Sequence, residues 1–378
     1  MAVGASMTRL DIGLLERAKS RLGEAVLDPR RWPSLMEAIC AAAFTTGATL
    51  LQADIRTPDV PVTPSVSDFV RNYFDDNLHV GDIRAAKGVP LLLSGRNVVR
   101  DQDIFSSERS MLRNPLYATA SKFGLRWWSV VSFRSGPSLW GLALQRSIRE
   151  GMFEEDEMRV LASLSDSLTD VATLSRAVGR RVLFGSLNAF ELISQPALSI
   201  SASGLVIETN RAATELFDAD FRVRSNRLYM RDAKASQALE RILWQRPGDG
   251  EIRPLARENT GNVIVVRREA KKPVLIRVLP VHPVASSPFL GARAILVLRD
   301  LEVSRRPPVE ILSAAFSLTA AEARVASMIA AGFSPEEISD ELMLSRETVR
   351  NQLKAVFGKT GTHRQNELAA LIARIQGA

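Results

Sequence analysis

Three regimes of hydrophobic patterning follow one another along the chain. In the first, residues 10–178, helical spacing at both ends brackets runs of strand character at 48–55, 127–133 and 139–147, with a long irregular stretch at about 59–100. Its closing segment, 153–182, has no proline. There Leu161, Leu164, Leu168, Val171, Val178 and Val182 trace an apolar stripe at three- and four-residue spacing, interrupted by Ser175. Such a stripe either pairs with its copy in a second subunit as a short coiled coil or lies on its own sheet. In the second regime, residues 187–299, the runs shorten. Segments 197–200 and 205–208 read as strands joined by a Ser-Ala-Ser-Gly turn, Asn210 opens a helix, and 263–266, 274–281 and 292–298 suit an antiparallel meander.

The third regime, residues 318–375, is wholly helical in period. Thr319 with Glu322 and Ser334 with Glu337 have the form of capping boxes, so two helices start at defined places. Pro335 stands at the first helical position, where its missing amide hydrogen removes nothing, and Ala331-Gly332-Phe333 breaks between the two. A third helix is predicted from the N-cap Ser345 to about Lys359, stopped by Thr360-Gly361-Thr362, and a fourth over 364–375. Val325, Ile329, Ile338, Leu342, Leu344, Val349, Leu353, Val356 and Phe357 recur at three- and four-residue spacing and can bury one shared core.

On the third helix an inward stripe of Val349, Leu353 and Val356 leaves Glu347, Arg350, Asn351 and Lys354 pointing away. That face suits base edges: Arg and Lys donate to guanine, Asn pairs with adenine, and Glu accepts from cytosine. Ser345, Arg346, Thr348, Lys359, His363 and Arg364 lie at the ends and flanks, placed for phosphate contacts that fix orientation. The plainer account is a helical bundle whose charges are merely solvated. The order of residues decides against it. Leu318-Thr319, Glu322, Ala331-Gly332, Ile338, Leu344-Ser345, Thr348-Val349-Arg350-Asn351, Phe357, Lys359 and Arg364 resemble the LuxR-type DNA-binding domain of bacterial transcription regulators. The resemblance implies a third helix in the major groove, with Arg350, Asn351 and Lys354 as base readers. Two positions depart from the usual pattern: Gln352, often His, and Thr360, often Leu.

The middle regime resembles a PAS domain through Pro196-Ala197-Leu198, Gly204, Asn210 and Ala212-Ala213. The resemblance implies an antiparallel sheet around a ligand-sized hollow. A photoactive flavin site would need a cysteine there, and there is none; haem would need an axial ligand, and His282, beside Pro280 and Pro283, reads as exposed. These residues name no cofactor. The first regime, with its order of helix, strands, variable connection, hairpin and closing helix, is similar to a GAF-type α+β module. Trp127, Trp128 and Trp140 are candidates to line a ligand pocket, which aromatic walls favour; the alternative is that they fill the sheet core.

The expected fold is therefore multidomain α+β: a GAF-like α+β domain at 1–183 ending in a long helix, a PAS-like antiparallel sheet domain at 184–303, and an all-α four-helix LuxR-type domain at 304–378. Cys40, the single cysteine, excludes intramolecular disulfides and sits in an apolar helical stretch that reads as core. His79, His282 and His363 are too scattered for a metal site. The net charge of +7 suits a nucleic-acid partner, although Arg222, Arg224, Arg227, Arg231, Arg267, Arg268, Lys271 and Lys272 read as exposed loop and strand charge. No apolar run is long enough to span a bilayer and the N-terminus lacks the form of a signal peptide, so a cytoplasmic protein without a membrane partner is expected.

These features point to a transcription regulator, not an enzyme. Its partners would be double-stranded DNA, a second copy of the chain as a homodimer, and an unidentified small-molecule ligand of the upstream domains. Two other readings stay open: a helix-turn-helix that contacts a protein such as RNA polymerase, and an enzyme with a regulatory nucleic-acid tail. The second lacks a phosphate-cradling glycine loop, a nucleophile elbow and a metal cluster. Its acidic pairs, Asp75-Asp76 and Glu154-Glu155-Asp156, sit at turns or helix starts.

Overall fold

The computed structural model describes residues 9–53, 59–243, 262–302 and 308–376, with side chains to 374. The architecture is mixed α+β with antiparallel sheets and a helical C-terminal part. The chain divides into two compact units, residues 1–300 and 301–378.

In the larger unit the first sheet holds β1 (Gly47–Gln52), β2 (Val98–Arg100), β3 (Leu125–Ser135) and β4 (Ser138–Ser147) in the order β1-β4-β3-β2, all antiparallel. Gly136 at φ 58° and Pro137 make the two-residue β3–β4 turn, whose twist matches the strands it joins. The expected strand at 48–55 ends sooner, and residues 54–55 lie outside the described segments. One face of the sheet, with Leu50, Val131, Phe133, Leu142 and Leu144, packs on the helix Trp32–Ala43 and on Leu164 and Leu168. The other carries Trp128, Val130 and Ala143.

The stretch at 59–100, expected to be irregular, contains the helices Ser67–Asp75 and Ile83–Leu93. Phe69, Val70, Tyr73 and Phe74 give the first its buried stripe. In the second, Pro90 and Gly88 stand inside the helix, and both residue types weaken a helix interior enough to hide its period.

The closing segment is two helices, Glu155–Ala162 and Leu164–Leu192, jointed at Ser163. The long one runs along both sheets. Leu164, Leu168 and Ala172 enter the first core, whereas Leu183 and Leu187 pack with Ala197, Ala285, Ala292 and Ile295 against the second sheet. Of the two ways to use the apolar stripe, the fold takes the intramolecular one: Leu161, Leu164 and Leu168 are wholly buried, and Val171 and Val182 pack at the core margins. Leu174, Phe184 and Leu192 remain exposed on the helix.

The second sheet is built from β5 (Ala197–Ser201), β6 (Val206–Thr209), β9 (Val263–Val266), β10 (Val274–Pro280) and β11 (Ala292–Asp300), in the order β6-β5-β11-β10-β9. A separate hairpin, β7 (Phe221–Arg224) with β8 (Arg227–Met230), turns at Ser225 and Asn226, both left-handed as a two-residue hairpin loop requires. Leu198, Ile276, Val278, Leu296 and Leu298 face Leu239 and Ile242 of the helix Ala233–Leu243. Asn210 ties strand to helix: its Oδ1 accepts from Ala197 N and Ala213 N, and its Nδ2 donates to Gln195 O. His282 is exposed and accepts from Val284 N. Arg268 is a correction to the expectation of exposed charge, because its side chain is fully buried and paired with Asp218 and Asp300. Cys40 lies in the first core, where burial pushes its thiol up to about 11.

The smaller unit has helices at Val309–Phe316, Ala320–Ala330, Pro335–Glu341, Arg346–Thr360 and Gln365–Gln376. The first of these was not among the four expected. Leu312 anchors it to the shared core of Val325, Ile329, Ile338, Val349, Leu353, Val356, Leu368 and Ile372.

Candidate nucleic-acid interface

Local capping fixes the start of each helix that matters. Thr319 Oγ1 accepts from Glu322 N at 3.3 Å while Glu322 Oε2 accepts from Thr319 N at 2.7 Å; Ser334 and Glu337 reciprocate at 3.2 and 2.8 Å. Ser345 Oγ accepts from Thr348 N at 3.0 Å and starts the helix Arg346–Thr360. Gly361 at φ 66° ends it in the left-handed conformation that glycine adopts without steric penalty. The bend before this helix is tight, with Met343 at φ 52° and 92% exposed.

With the ends fixed, the periodicity sets the faces. Val349, Leu353 and Val356 are buried, and Arg346, Glu347, Arg350, Asn351 and Lys354 are all exposed. Among the described residues none of these five has an ion pair or a side-chain hydrogen bond, so their donors and acceptors face solvent. The face thus presents three cations, one amide and one carboxylate over two turns of helix, a density of forked and point donors suited to a polyanion. Ser345, His363 and Arg364 are exposed at the ends, and Thr348 is half-buried beside Ser345. Gln352 is half-buried, with its Oε1 buried and unpartnered.

Lys359 plays a part that spacing alone does not disclose. Its Nζ meets Glu322 Oε2 at 2.7 Å, which braces the helix Arg346–Thr360 against Ala320–Ala330. The Lys359 hydrogen bond, followed by the Thr319 amide, holds the Glu322 carboxyl below its ordinary value of 4.5. Glu337 is held low by the Ser334 amide.

Residues 316–372 match the GerE family, bacterial regulatory proteins of the luxR family. The smaller unit carries a luxR-family helix-turn-helix domain. No curated protein matches the chain. Among solved structures, one titled as the crystal structure of the phage VqmA-DPO complex aligns at 15% identity over 52% of this chain and 89% of its own, with a TM-score of 0.20. One titled as the E. coli DhaR(N)-DhaL complex aligns at 12% identity over 76% and 87%, with a TM-score of 0.23. At such scores neither likeness bears on function. No described helix is long and apolar enough to cross a membrane, and the described residues contain no cluster of His, Cys, Asp and Glu that could hold a metal.

Remote in sequence from the luxR-type domain, the larger unit holds a half-open cavity of about 70 Å³ between β1, β3 and β4 and the helices Ser67–Asp75 and Ile83–Leu93. Trp128 and Trp140 line it; Trp127 does not. Successive strand residues face opposite sides of a sheet, so Trp127 joins the core on the other face. Trp140 also packs edge-on against Phe289, so core filling and pocket lining are combined in one ring.

Beside the cavity lies a buried polar network that the sequence does not announce. Arg84 Nε donates to Tyr117 Oη at 2.9 Å, Tyr117 Oη donates to Asp101 Oδ1, and Asp101 Oδ2 accepts from Trp128 N at 2.7 Å. Tyr73 Oη donates to Asp82 Oδ2 at 2.7 Å, and Asp82 Oδ1 caps Arg84 N. Burial pushes the Asp101 carboxyl up to about 6, and Arg84 moderates the rise. For Arg84, burial works against the charge, yet Tyr117, Asp101 and Asp82 together outweigh it and raise its affinity for the proton.

Proposed function

We propose that the chain is a DNA-binding transcription regulator whose luxR-type domain reads the major groove under control of the larger unit. The single observation that carries this is the unpaired outer face of the helix Arg346–Thr360, in a segment matching the luxR family. Glu347, Arg350, Asn351 and Lys354 take the base edges; Ser345, Arg346, Thr348, His363 and Arg364 take flanking phosphates, while Lys359 reaches a phosphate only by sharing its pairing with Glu322. The luxR-family match points to a regulator and not to an enzyme.

The larger unit is read as the sensing part, with a GAF-like domain over 1–183 and a PAS-like domain over 184–303. The order β6-β5-β11-β10-β9, with the helices Arg211–Leu216 and Ala233–Leu243 and a hairpin between its second and third strands in sequence, supports the PAS-like reading. The cavity beside the first sheet supports the GAF-like one. A homodimer is supported by the exposed apolar residues Leu174 and Phe184 on the long helix, and a two-fold pair of helices requires a two-fold pair of half-sites.

The test is selection of genomic fragments by the full chain at several salt concentrations, followed by Arg350→Ala and Lys354→Ala on the selected site. Arg350→Ala weakens binding by about 1–3 kcal/mol and relaxes preference at one base position. Unchanged affinity in both variants, or no fragment preferred over bulk DNA, rejects DNA reading and leaves a protein such as RNA polymerase as the partner.

A further inference from the structure

The walls of the cavity are largely apolar, from Leu51, Val70, Val89, Val130 and Ala143 together with Trp128. Three residues of the lining hold a buried polar atom without a hydrogen-bond partner: Arg84, Gln145 and Trp140, whose Nε1 belongs to the ring packed edge-on against Phe289. Arg84 is 5% exposed and its Nη2 has no hydrogen-bond partner; Gln145 is 3% exposed and its Oε1 has none either. Both residues line the cavity. Leaving a buried donor or acceptor unpaired costs about 1–3 kcal/mol, and folded proteins keep few such groups. Trp140 is shared with the core on the other face of the sheet, whereas Arg84 Nη2 and Gln145 Oε1 around one hollow imply an occupant that completes both.

We propose that this cavity binds a compact neutral molecule, apolar over most of its surface, that accepts a hydrogen bond from Arg84 Nη2 and donates one to Gln145 Oε1. The inference deepens, and rests on, the reading of the larger unit as the sensing part.

Charge selects a neutral ligand. Arg84 is already answered by Asp101 and Asp82, whose influence on it is felt through the buried network, so an added anion meets net negative surroundings in a medium that screens poorly. Size selects a compact one: about 70 Å³ holds roughly five water-sized groups. The guanidinium is held in advance, lying 4.4 Å from the Tyr117 ring centroid and 5.3 Å from that of Trp128. A donor fixed before binding loses little freedom on binding. The helix Ile83–Leu93, with Gly88 facing the hollow, forms one wall of it.

The experiment uses δ-valerolactam, a neutral ring with one acceptor and one donor, against the full chain. Binding is followed by saturation-transfer NMR and by titration, with pentanoate and benzene as the anionic and purely apolar comparisons. The lactam binds more tightly than either. Gln145→Leu, which keeps the side-chain bulk, weakens it about tenfold or more, as does Arg84→Met, each variant being checked by thermal melting for an intact fold. Should Arg84→Met fail to fold, Gln145→Leu decides alone. Tighter binding of pentanoate overturns the neutral ligand; equal binding of benzene, or an unaffected Gln145→Leu, overturns the polar pairing; no binding of any probe at millimolar concentration overturns the site. DNA affinity measured in the same samples separates the two readings. Lactam binding without any change in DNA affinity leaves the cavity assignment standing and removes the sensing role, whereas intact DNA selection without lactam binding removes only the cavity assignment.

Discussion

Asp101 illustrates how surroundings set the behaviour of one side chain. Its carboxyl, pushed from 3.8 up to about 6 by burial, favours the protonated form in the folded state. Between those values the folded chain holds a proton that the unfolded chain has released, so stability of the larger unit falls as pH rises from about 4 to about 6, by on the order of 2–3 kcal/mol, and levels off above. Urea midpoints of the full chain, read from tryptophan emission, should therefore rise when pH is lowered from 7 to 5, and Asp101→Asn should flatten that dependence. Glu322 and Glu337 act in the opposite sense. Both are held low in the folded state, so their contribution is present above the ordinary 4.5 and is lost as pH falls through their folded values. At this scale the sequence was legible where the relevant partners are near neighbours. Exposure of Arg350, Asn351 and Lys354 follows from helical spacing, whereas the Arg84–Tyr117–Asp101 network and the Arg268–Asp300 pair join positions far apart in the chain. No local pattern marks such partners.

Among elements, the helix Leu164–Leu192 is the one whose packing is most sharply tested by substitution. Gly179 is buried against the segment Pro283–Ser286, and a Cβ there would stand 3.0 Å from Val284 O. Gly185, six residues on, meets nothing within 4 Å. Gly179→Leu should destabilise the larger unit by about 1–3 kcal/mol, the usual cost of overpacking, since a side chain must be driven into backbone. Gly185→Ala should stabilise it by about 0.5–1 kcal/mol through helix propensity alone. Denaturant midpoints of the two variants decide; equal effects would show that the close approach is absent. Capping boxes and apolar stripes announced the helices of the luxR-type domain, because each rests on contacts within a few residues. The helix Ile83–Leu93 was masked by its own Gly88 and Pro90, and Val309–Phe316 by the lack of a capping hydroxyl at Pro308. Tertiary burial holds both where local preference does not.

Across the whole molecule, the sequence indicated a change of regime near the middle of the long helix but not that one helix serves two cores. Its first half closes the hydrophobic interior of the first sheet, and its second half covers the second. Residues on either side of position 183 therefore belong to a single structural member. Differential scanning calorimetry of the full chain should show two cooperative transitions, one for residues 1–300 and one for the luxR-type domain, with the calorimetric and van't Hoff enthalpies of the first in agreement. Three separable transitions would contradict the shared member.

A beam mortised into two floors cannot be sawn through without loosening both. Protease nicking or a chain break between Leu183 and Leu187 should consequently release no sturdy fragment from residues 1–300, and an inserted pair of residues there should twist the downstream half by about 200° about the axis, given roughly 3.6 residues per turn. Such a rotation would turn Leu187 and its neighbours toward solvent and strip the second sheet of its cover, so the register of this rod, more than its mere presence, is what the fold keeps.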